Sequence, residues 1–339
     1  MILPLHLSII IPGHNNPPKW WQRCVRSVLA SCGPNDEIIC VDDGSKEPVQ
    51  PSWVCADEDG RVKLLHKKNG GLASARNAGL AIAKGKYVTV VDSDDEVVAG
   101  VFDSCIQQME KCDADIAVYG VRTIWPDVKL QKEDTLPTKY YGQLVAKDVQ
   151  AWSDACLLNY AWNKVYSRVF LEGTNASTNP IRFCLHGMPC EDIIFNLTCV
   201  MRGARWVMVE DVGYIYHRTR GTLLSSYKPS NFKGLKAGAN AWQQCIDFFN
   251  EKENPWLLRR ANFTETSANQ LEWQNIWLPK TPYSLLDRWK WLRAHSELGG
   301  VKTFVKMFVY TILRRYFYFN CVRKWHIKRL YPCVKGIEL

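Results

Sequence analysis

At 339 residues and 47% hydrophobic content the chain is long enough for two domains or one large one and can build a full core, which excludes a disordered polypeptide. Its 13 cysteines are odd in number and irregularly spaced, with no Cys-x-x-Cys pair, which excludes a disulfide framework and a zinc ribbon. The net charge of +9 is concentrated: Arg288 to Leu339 holds twelve Lys or Arg against Glu297 and Glu338, a balance of +10, and everything before Arg288 is about neutral.

The opening Met-Ile-Leu-Pro-Leu-His-Leu-Ser has neither the charged region nor the cleavage site of a signal peptide, so a reducing cytosol is the expected compartment. Leu5 to Pro12 reads as a first strand, ended by Pro12 and Gly13, with His14, Asn15 and Asn16 in the following loop. Pro17 and Pro18 suit a helix start, and Trp21, Cys24, Val25, Val28 and Leu29 then repeat at helical spacing. Glu37 to Val41 is a second strand and terminates in Asp42-Asp43-Gly44-Ser45. A third, Val62 to His66, leads through Lys68-Asn69-Gly70-Gly71 to a helix carrying Ala75, Arg76, Asn77, Ala78, Leu80 and Ile82. This alternation predicts a parallel, doubly wound α/β sheet.

The fourth strand, in Lys86 to Asp95, organises the rest. Tyr-Val-Thr-Val-Val has the length and composition of a buried strand and runs directly into Asp92-Ser93-Asp94-Asp95. In open α/β sheets the ligand crevice lies outside the carboxyl ends of the strands, so Asp92 and Asp94 are placed where a ligand binds. Paired hard oxygens suit Mn²⁺ or Mg²⁺ shared with the phosphates of a nucleotide. Two other acidic triplets lack this context: Asp57-Glu58-Asp59 lies in a charged loop, and Asp113-Ala114-Asp115 opens a strand.

Four ordered blocks carry a resemblance: Leu-Ser-Ile-Ile-Ile-Pro, Val-Asp-Asp-Gly-Ser, Asn-Gly-Gly-Leu-Ala-Ser-Ala-Arg-Asn-Ala-Gly and Val-Asp-Ser-Asp-Asp. In that order the chain resembles family 2 glycosyltransferases. The likeness continues through Trp162-Asn163-Lys164-Val165-Tyr166, Glu191-Asp192 and Tyr216-His217-Arg218, and it covers roughly residues 5 to 226. The resemblance implies a GT-A fold, inversion at the anomeric carbon and a sugar nucleotide donor, most often UDP-linked. It places Pro12, Asn15, Asp42, Asp43, Arg76, Asp92 and Ser93 around the nucleotide, with Asp42 accepting from the base and Arg76 on the base or ribose edge. Where the family loop more usually reads Val-Tyr-Asn, this chain has Gly13-His14-Asn15, which leaves His14 in the place of the tyrosine. Read as residues alone, Asp42-Asp43-Gly44-Ser45 could be a solvated turn and Arg76 a structural ion-pair partner.

Beyond the fourth strand, Asp115 to Val121 reads as another strand, and Trp125 to Lys147 as a long loop or irregular insert. Acceptor selectivity is expected there and in Thr174 to Pro180. An apolar helix from about Val149 to Leu158 precedes Trp162, Asn163 and Lys164. That aromatic beside amide and ammonium suits a sugar, although a core tryptophan with a surface lysine fits equally. Glu191 and Asp192 precede an apolar helical run; Glu191 is expected at the donor or acceptor sugar, and the resemblance makes Asp192 the general base. Arg205 to Glu210 is a last strand followed by Tyr214 to Arg218. There His217 could be a third metal ligand, a phosphate contact or a core histidine, and Arg218 and Arg220 could clamp the diphosphate.

Two domains follow. Residues 1–226 form the catalytic domain, with a nucleotide-binding half over 1–111 and an acceptor half over 112–226. Residues 227–339 form a helical, basic extension. In that extension Val301, Val305, Phe308, Ile312 and Tyr316 make an apolar stripe with Lys302, Lys306, Arg314 and Arg315 off it, the pattern of a helix lying in an anionic membrane surface or packed in a helical subdomain. The expected enzyme moves a sugar from a nucleotide donor to a glycan or lipid-linked acceptor for surface polysaccharide, as a peripheral protein on the inner face of the cell membrane. A nucleotidyltransferase would need a Gly-rich triphosphate loop near the first strand, and none is present. A nucleic-acid-binding protein would leave Asp42, Asp92, Asp94 and Asp192 unexplained.

Overall fold

A computed structural model of the chain describes residues 6–125, 130–134, 141–145, 147–149, 152, 157–173, 179–185, 190–217 and 231–249. The chain divides into two compact units, Met1–Ala268 and Asn269–Leu339, and every described residue lies in the first. The basic stretch from Arg288, the expected helix near Val149 to Leu158 for most of its length, and Arg218 and Arg220 all lie outside the described residues.

A ten-stranded mixed sheet forms the centre. Its first half is parallel: β1 (Leu7–Gly13) lies between β2 (Glu37–Asp42) and β4 (Tyr87–Val90), and β3 (Val62–His66) flanks β2. Every residue of β2 and β4, and all of β1 except Gly13, is buried, as expected of strands covered on both faces. The registers Ile9↔Ile38, Gly13↔Asp42 and Ile10↔Val90 bring the carboxyl ends of these strands level, so the loops bearing His14, Asp43 and Asp92 open on one edge. Helix α1 (Pro18–Leu29) begins with proline at its first turn, where the missing N–H costs nothing, and buries Trp21, Cys24, Val25 and Val28. Helix α2 (Leu72–Ile82) buries Ala73, Ala75, Arg76, Gly79 and Leu80. Gly79 is required by close approach, since a β-carbon there would run into the side chain of Ile10 on β1.

The second half is mixed. The two-residue β5 (Glu96–Val97) and helix α3 (Val101–Cys112) lead to β6 (Ile116–Trp125), and β9 (Lys164–Ser167) runs antiparallel between β4 and β6, joining the halves. The stretch expected to be irregular contains β7 (Leu130–Asp134), paired with β6, and β8 (Tyr141–Gln143), paired with β10. The separate strand and trailing segment expected after Arg205 are one strand, β10 (Arg205–His217). Register shifts between Val209 and Tyr214 bulge out the exposed Glu210 and Asp211, and pairing with β6 then resumes. After the short α4 (Arg168–Glu172), helix α5 (Glu191–Met201) packs against α6 (Asn231–Phe248), which buries Ala241, Trp242, Cys245 and Ile246. Part of the region expected as an extension therefore packs on the helix that carries Asp192. Among the described residues no helix is long and apolar enough to cross a membrane.

Candidate active site

The turn after β4 sorts its acids by burial. Asp95 is fully buried; its carboxylate accepts from the His217 backbone N–H at 2.8 Å and from the Tyr214 hydroxyl at 2.9 Å. That hydroxyl accepts in turn from the Asp92 N–H at 3.1 Å, so β10 braces the turn. Ser93, also buried, accepts from the Asn16 side-chain amide at 2.6 Å. Asp92 and Asp94 remain only half-buried. Burial raises the Asp92 carboxyl above its ordinary range against the pull of Arg76, and burial together with the Asp92 charge pushes Asp94 up to about 6.

His217, expected as a metal ligand or phosphate contact, spends Nε2 on Glu96 Oε1 at 2.5 Å. Arg23 on α1, which the sequence did not single out, donates to the Asp94 backbone carbonyl and lies 3.4 Å from the same Glu96 oxygen. Among the described residues no three His, Cys, Asp or Glu side chains are grouped to hold a metal ion by themselves. Asp92 and Asp94 nevertheless fit a divalent cation completed by ligand oxygens. They are adjacent hard donors that repel one another, and Asp94 has no salt-bridge partner among the described residues.

The opposite wall comes from α2 and α5. Arg76, 1% exposed, donates through Nη2 to Asp92 Oδ1 at 2.9 Å and through Nη1 to Asp192 Oδ1. Its plane lies over the Phe183 ring, 5.1 Å from the centroid. The segment bearing Phe183 is clamped by Asn77, whose amide donates to the Phe183 carbonyl at 2.8 Å and accepts from its N–H at 2.9 Å. Asp192 Oδ2 accepts from the Ala161 N–H at 3.0 Å. A carboxylate offers about four lone-pair positions, so Asp192 retains acceptor capacity after both contacts. Glu191 is 5% exposed, its Oε2 is buried without a partner among the described residues, and burial with the neighbouring Asp192 charge pushes it up to about 7. The arrangement gathers three carboxylates, Asp92, Asp192 and Glu191, around one guanidinium. The open alternative for Arg76, an ion-pair partner, is what the structure contains: it pairs with Asp92 and Asp192.

The loops after β1 and β2 are braced by their own acids. Asp42, 2% exposed, accepts from Ser45 N at 3.0 Å and Val49 N at 3.2 Å and meets His66 Nδ1 at 3.0 Å. Burial raises this carboxyl, but the bonds from Ser45, His66 and Val49 win and hold it below its ordinary value. Asp43, also 2% exposed, accepts from Lys67 Nζ at 2.5 Å, Gly70 N at 3.0 Å and Gly71 N at 2.7 Å. Neither acid stands open as a ready acceptor for a nucleobase. Gly44 adopts φ +71° and lies so close to Asn69 that a β-carbon would sit 2.6 Å from its backbone nitrogen. Pro12 is buried in β1. Asn15, at φ 55°, donates its backbone N–H to Ser45 Oγ at 2.8 Å and accepts from Lys46 N at 2.8 Å. His14 is exposed, with Nδ1 3.0 Å from the Asp43 carbonyl and Nε2 2.7 Å from the Asn15 amide.

The expected sugar contacts at Trp162, Asn163 and Lys164 are corrected. Trp162 is 5% exposed and stacks on Tyr160 at 4.6 Å and Tyr214 at 4.2 Å between ring centroids, with Tyr216 at 5.7 Å. Asn163 donates to the Tyr119 carbonyl at 3.3 Å. Lys164 is not on the surface but fully buried, donating to the Leu157 and Tyr160 carbonyls and to Asn163 Oδ1. Burial pulls it down to about 7, opposed by the Asp192 charge. This segment anchors the loop that supplies Ala161 N to Asp192. Neither Arg23, which lies among the polar residues Lys19, Arg26 and Ser27 of its helix, nor Tyr214 carries a signal that sequence could have used.

Residues 8–172 match the family model described as glycosyl transferase family 2. The uncharacterized glycosyltransferase EpsJ of Bacillus subtilis (strain 168) is 29% identical over 262 residues, spanning 74% of this chain and 71% of that protein. The succinoglycan biosynthesis protein ExoO of Rhizobium meliloti (strain 1021) is 29% identical over 211 residues, 59% of this chain and 58% of its own length. Among solved structures, S. aureus TarS 1-349 in complex with UDP-GlcNAc superposes with a TM-score of 0.59 at 18% identity, covering 86% of this chain and 80% of that one. At that identity the likeness supports the fold.

Proposed function

From the match of residues 8–172 to the glycosyl transferase family 2 model, we propose that the chain transfers a sugar, with inversion, from a UDP-linked donor to a hydroxyl of a glycan or lipid-linked acceptor in surface polysaccharide biosynthesis. The observation that carries this reading is the meeting, around one buried guanidinium, of Asp92 after β4 with Asp192 in the first turn of α5. Asp192 takes the proton of the acceptor hydroxyl as that oxygen attacks the anomeric carbon. It is held for this by Ala161 N on one oxygen and Arg76 on the other. Glu191, whose buried Oε2 lacks a partner, hydrogen-bonds a sugar hydroxyl, which would satisfy the orphaned atom. Asp92 and Asp94 would hold Mn²⁺ or Mg²⁺, whose chemistry is to offset negative charge on the departing diphosphate.

The UDP reading is supported by TarS, which has been solved with UDP and with UDP-GlcNAc, and the polysaccharide reading by the name of ExoO. A lipid-linked acceptor has to be met at a bilayer, and the basic, aromatic stretch after Arg288 is suited to an anionic surface on the inner face of the membrane. Incubating the protein with a panel of UDP-sugars and Mn²⁺, and measuring released UDP, tests the reading. Release from one or a few sugars is expected, and no release from any nucleotide sugar, with or without acceptor glycans, would overturn it.

A further inference from the structure

We infer that Arg76 is a positioning residue that couples the donor side of the site to the base, and not a contact to the nucleotide; this rests on the reading of Asp192 as the base. Ala73, Ala75, Gly79 and Leu80 are the other buried residues of α2, so Arg76 occupies the helix face pressed onto the sheet, where an arginine is seldom found unpaired. A purely structural ion pair would need one carboxylate. Arg76 instead divides its fork, Nη2 to Asp92 and Nη1 to Asp192, acids 16 and 116 residues away in the chain. The third nitrogen, Nε, is buried with no hydrogen-bond partner among the described residues. A guanidinium placed for its own satisfaction would not leave that donor orphaned; this one is set by where the two acids must be. Phe183 beneath it and the Asn77 clamp on the Phe183 backbone fix the plane from below.

Two consequences follow from one cation shared by two acids. Arg76 fixes the direction of Asp192 Oδ1, and so the direction of the lone pairs left for an acceptor proton. It also links the two sides: whatever draws the Asp92 charge toward the donor leaves more of the Arg76 field on Asp192. Lysine has one point charge and cannot serve both acids in this geometry.

The test compares wild type with Arg76→Lys and Arg76→Gln, measuring UDP affinity with Mn²⁺ by calorimetry, kcat, and donor KM. Positioning predicts that UDP affinity stays within about threefold while kcat falls by roughly tenfold or more, with Arg76→Lys retaining more activity than Arg76→Gln. A loss of UDP affinity matching the loss of kcat would overturn the inference in favour of a nucleotide contact, and an unchanged kcat would reduce Arg76 to packing. Phe183→Leu, which removes only the ring under the guanidinium, keeps the test open if both Arg76 variants fail to fold. It should lower kcat without changing UDP affinity, and an unchanged kcat would again count against positioning. Wild-type protein inactive with every nucleotide sugar fails the reading of the site; active wild type with fully active Arg76 variants fails this inference alone.

Discussion

Three aspartates share the turn after β4, and burial gives them different work. Asp95, closed in by Tyr214 and the His217 backbone, holds the turn to β10, while Asp94 keeps a carboxylate whose ionisation is costly because it is largely buried and Asp92 lies beside it. A bound cation removes that cost, so Asp94→Ala should make UDP affinity insensitive to Mn²⁺, as calorimetry would read directly. The sign with pH follows from the raised value. Asp94 is protonated below about pH 6, a cation needs the carboxylate, and so Mn²⁺-dependent affinity should weaken by about tenfold per pH unit on the acid side. Affinity flat from pH 5 to 8 would remove Asp94 from the cation site. The acids themselves were legible in the sequence because they close a β-branched run. Their partners were not, since no spacing rule brings residue 76 to residue 192.

At the scale of elements, β1, β2 and β4 were readable because each is an apolar run buried on both faces. β7 reads Leu-Gln-Lys-Glu-Asp and β8 is three residues long, so neither carries a hydrophobic signal, and pairing with β6 and β10 alone makes them strands. β10 was cut short in the reading because Glu210-Asp211 look like an end, when they are the exposed part of a bulge. The Trp162-Asn163-Lys164 segment misled for a different reason: composition suits a sugar, but only the fold reveals that the ammonium is enclosed by three oxygens. Lys164→Ala should strand those acceptors and destabilise the protein by about 2–3 kcal/mol, lowering the Tm, while the folded fraction still binds UDP. A variant of normal Tm that no longer binds UDP would return Lys164 to the ligand.

At the scale of the whole molecule, a near-neutral body precedes a stretch with a balance of +10, and nothing in the proposed chemistry uses that charge. An anionic surface offers about 1 kcal/mol for each Lys or Arg held near it. Neutralising Lys302, Lys306, Arg314 and Arg315 should therefore release the protein from anionic liposomes, as should high salt, with donor hydrolysis in solution unchanged. Equal sedimentation of wild type and the neutralised protein would point to a packed helical subdomain.

The separation of binding from turnover in Asp192→Asn tests the account at its centre. The amide preserves shape but cannot accept the proton, so UDP affinity should hold while sugar transfer falls by about two to four orders of magnitude. Transfer at a near-normal rate by that variant would contradict the account and leave Asp192 as an acid at the start of a helix.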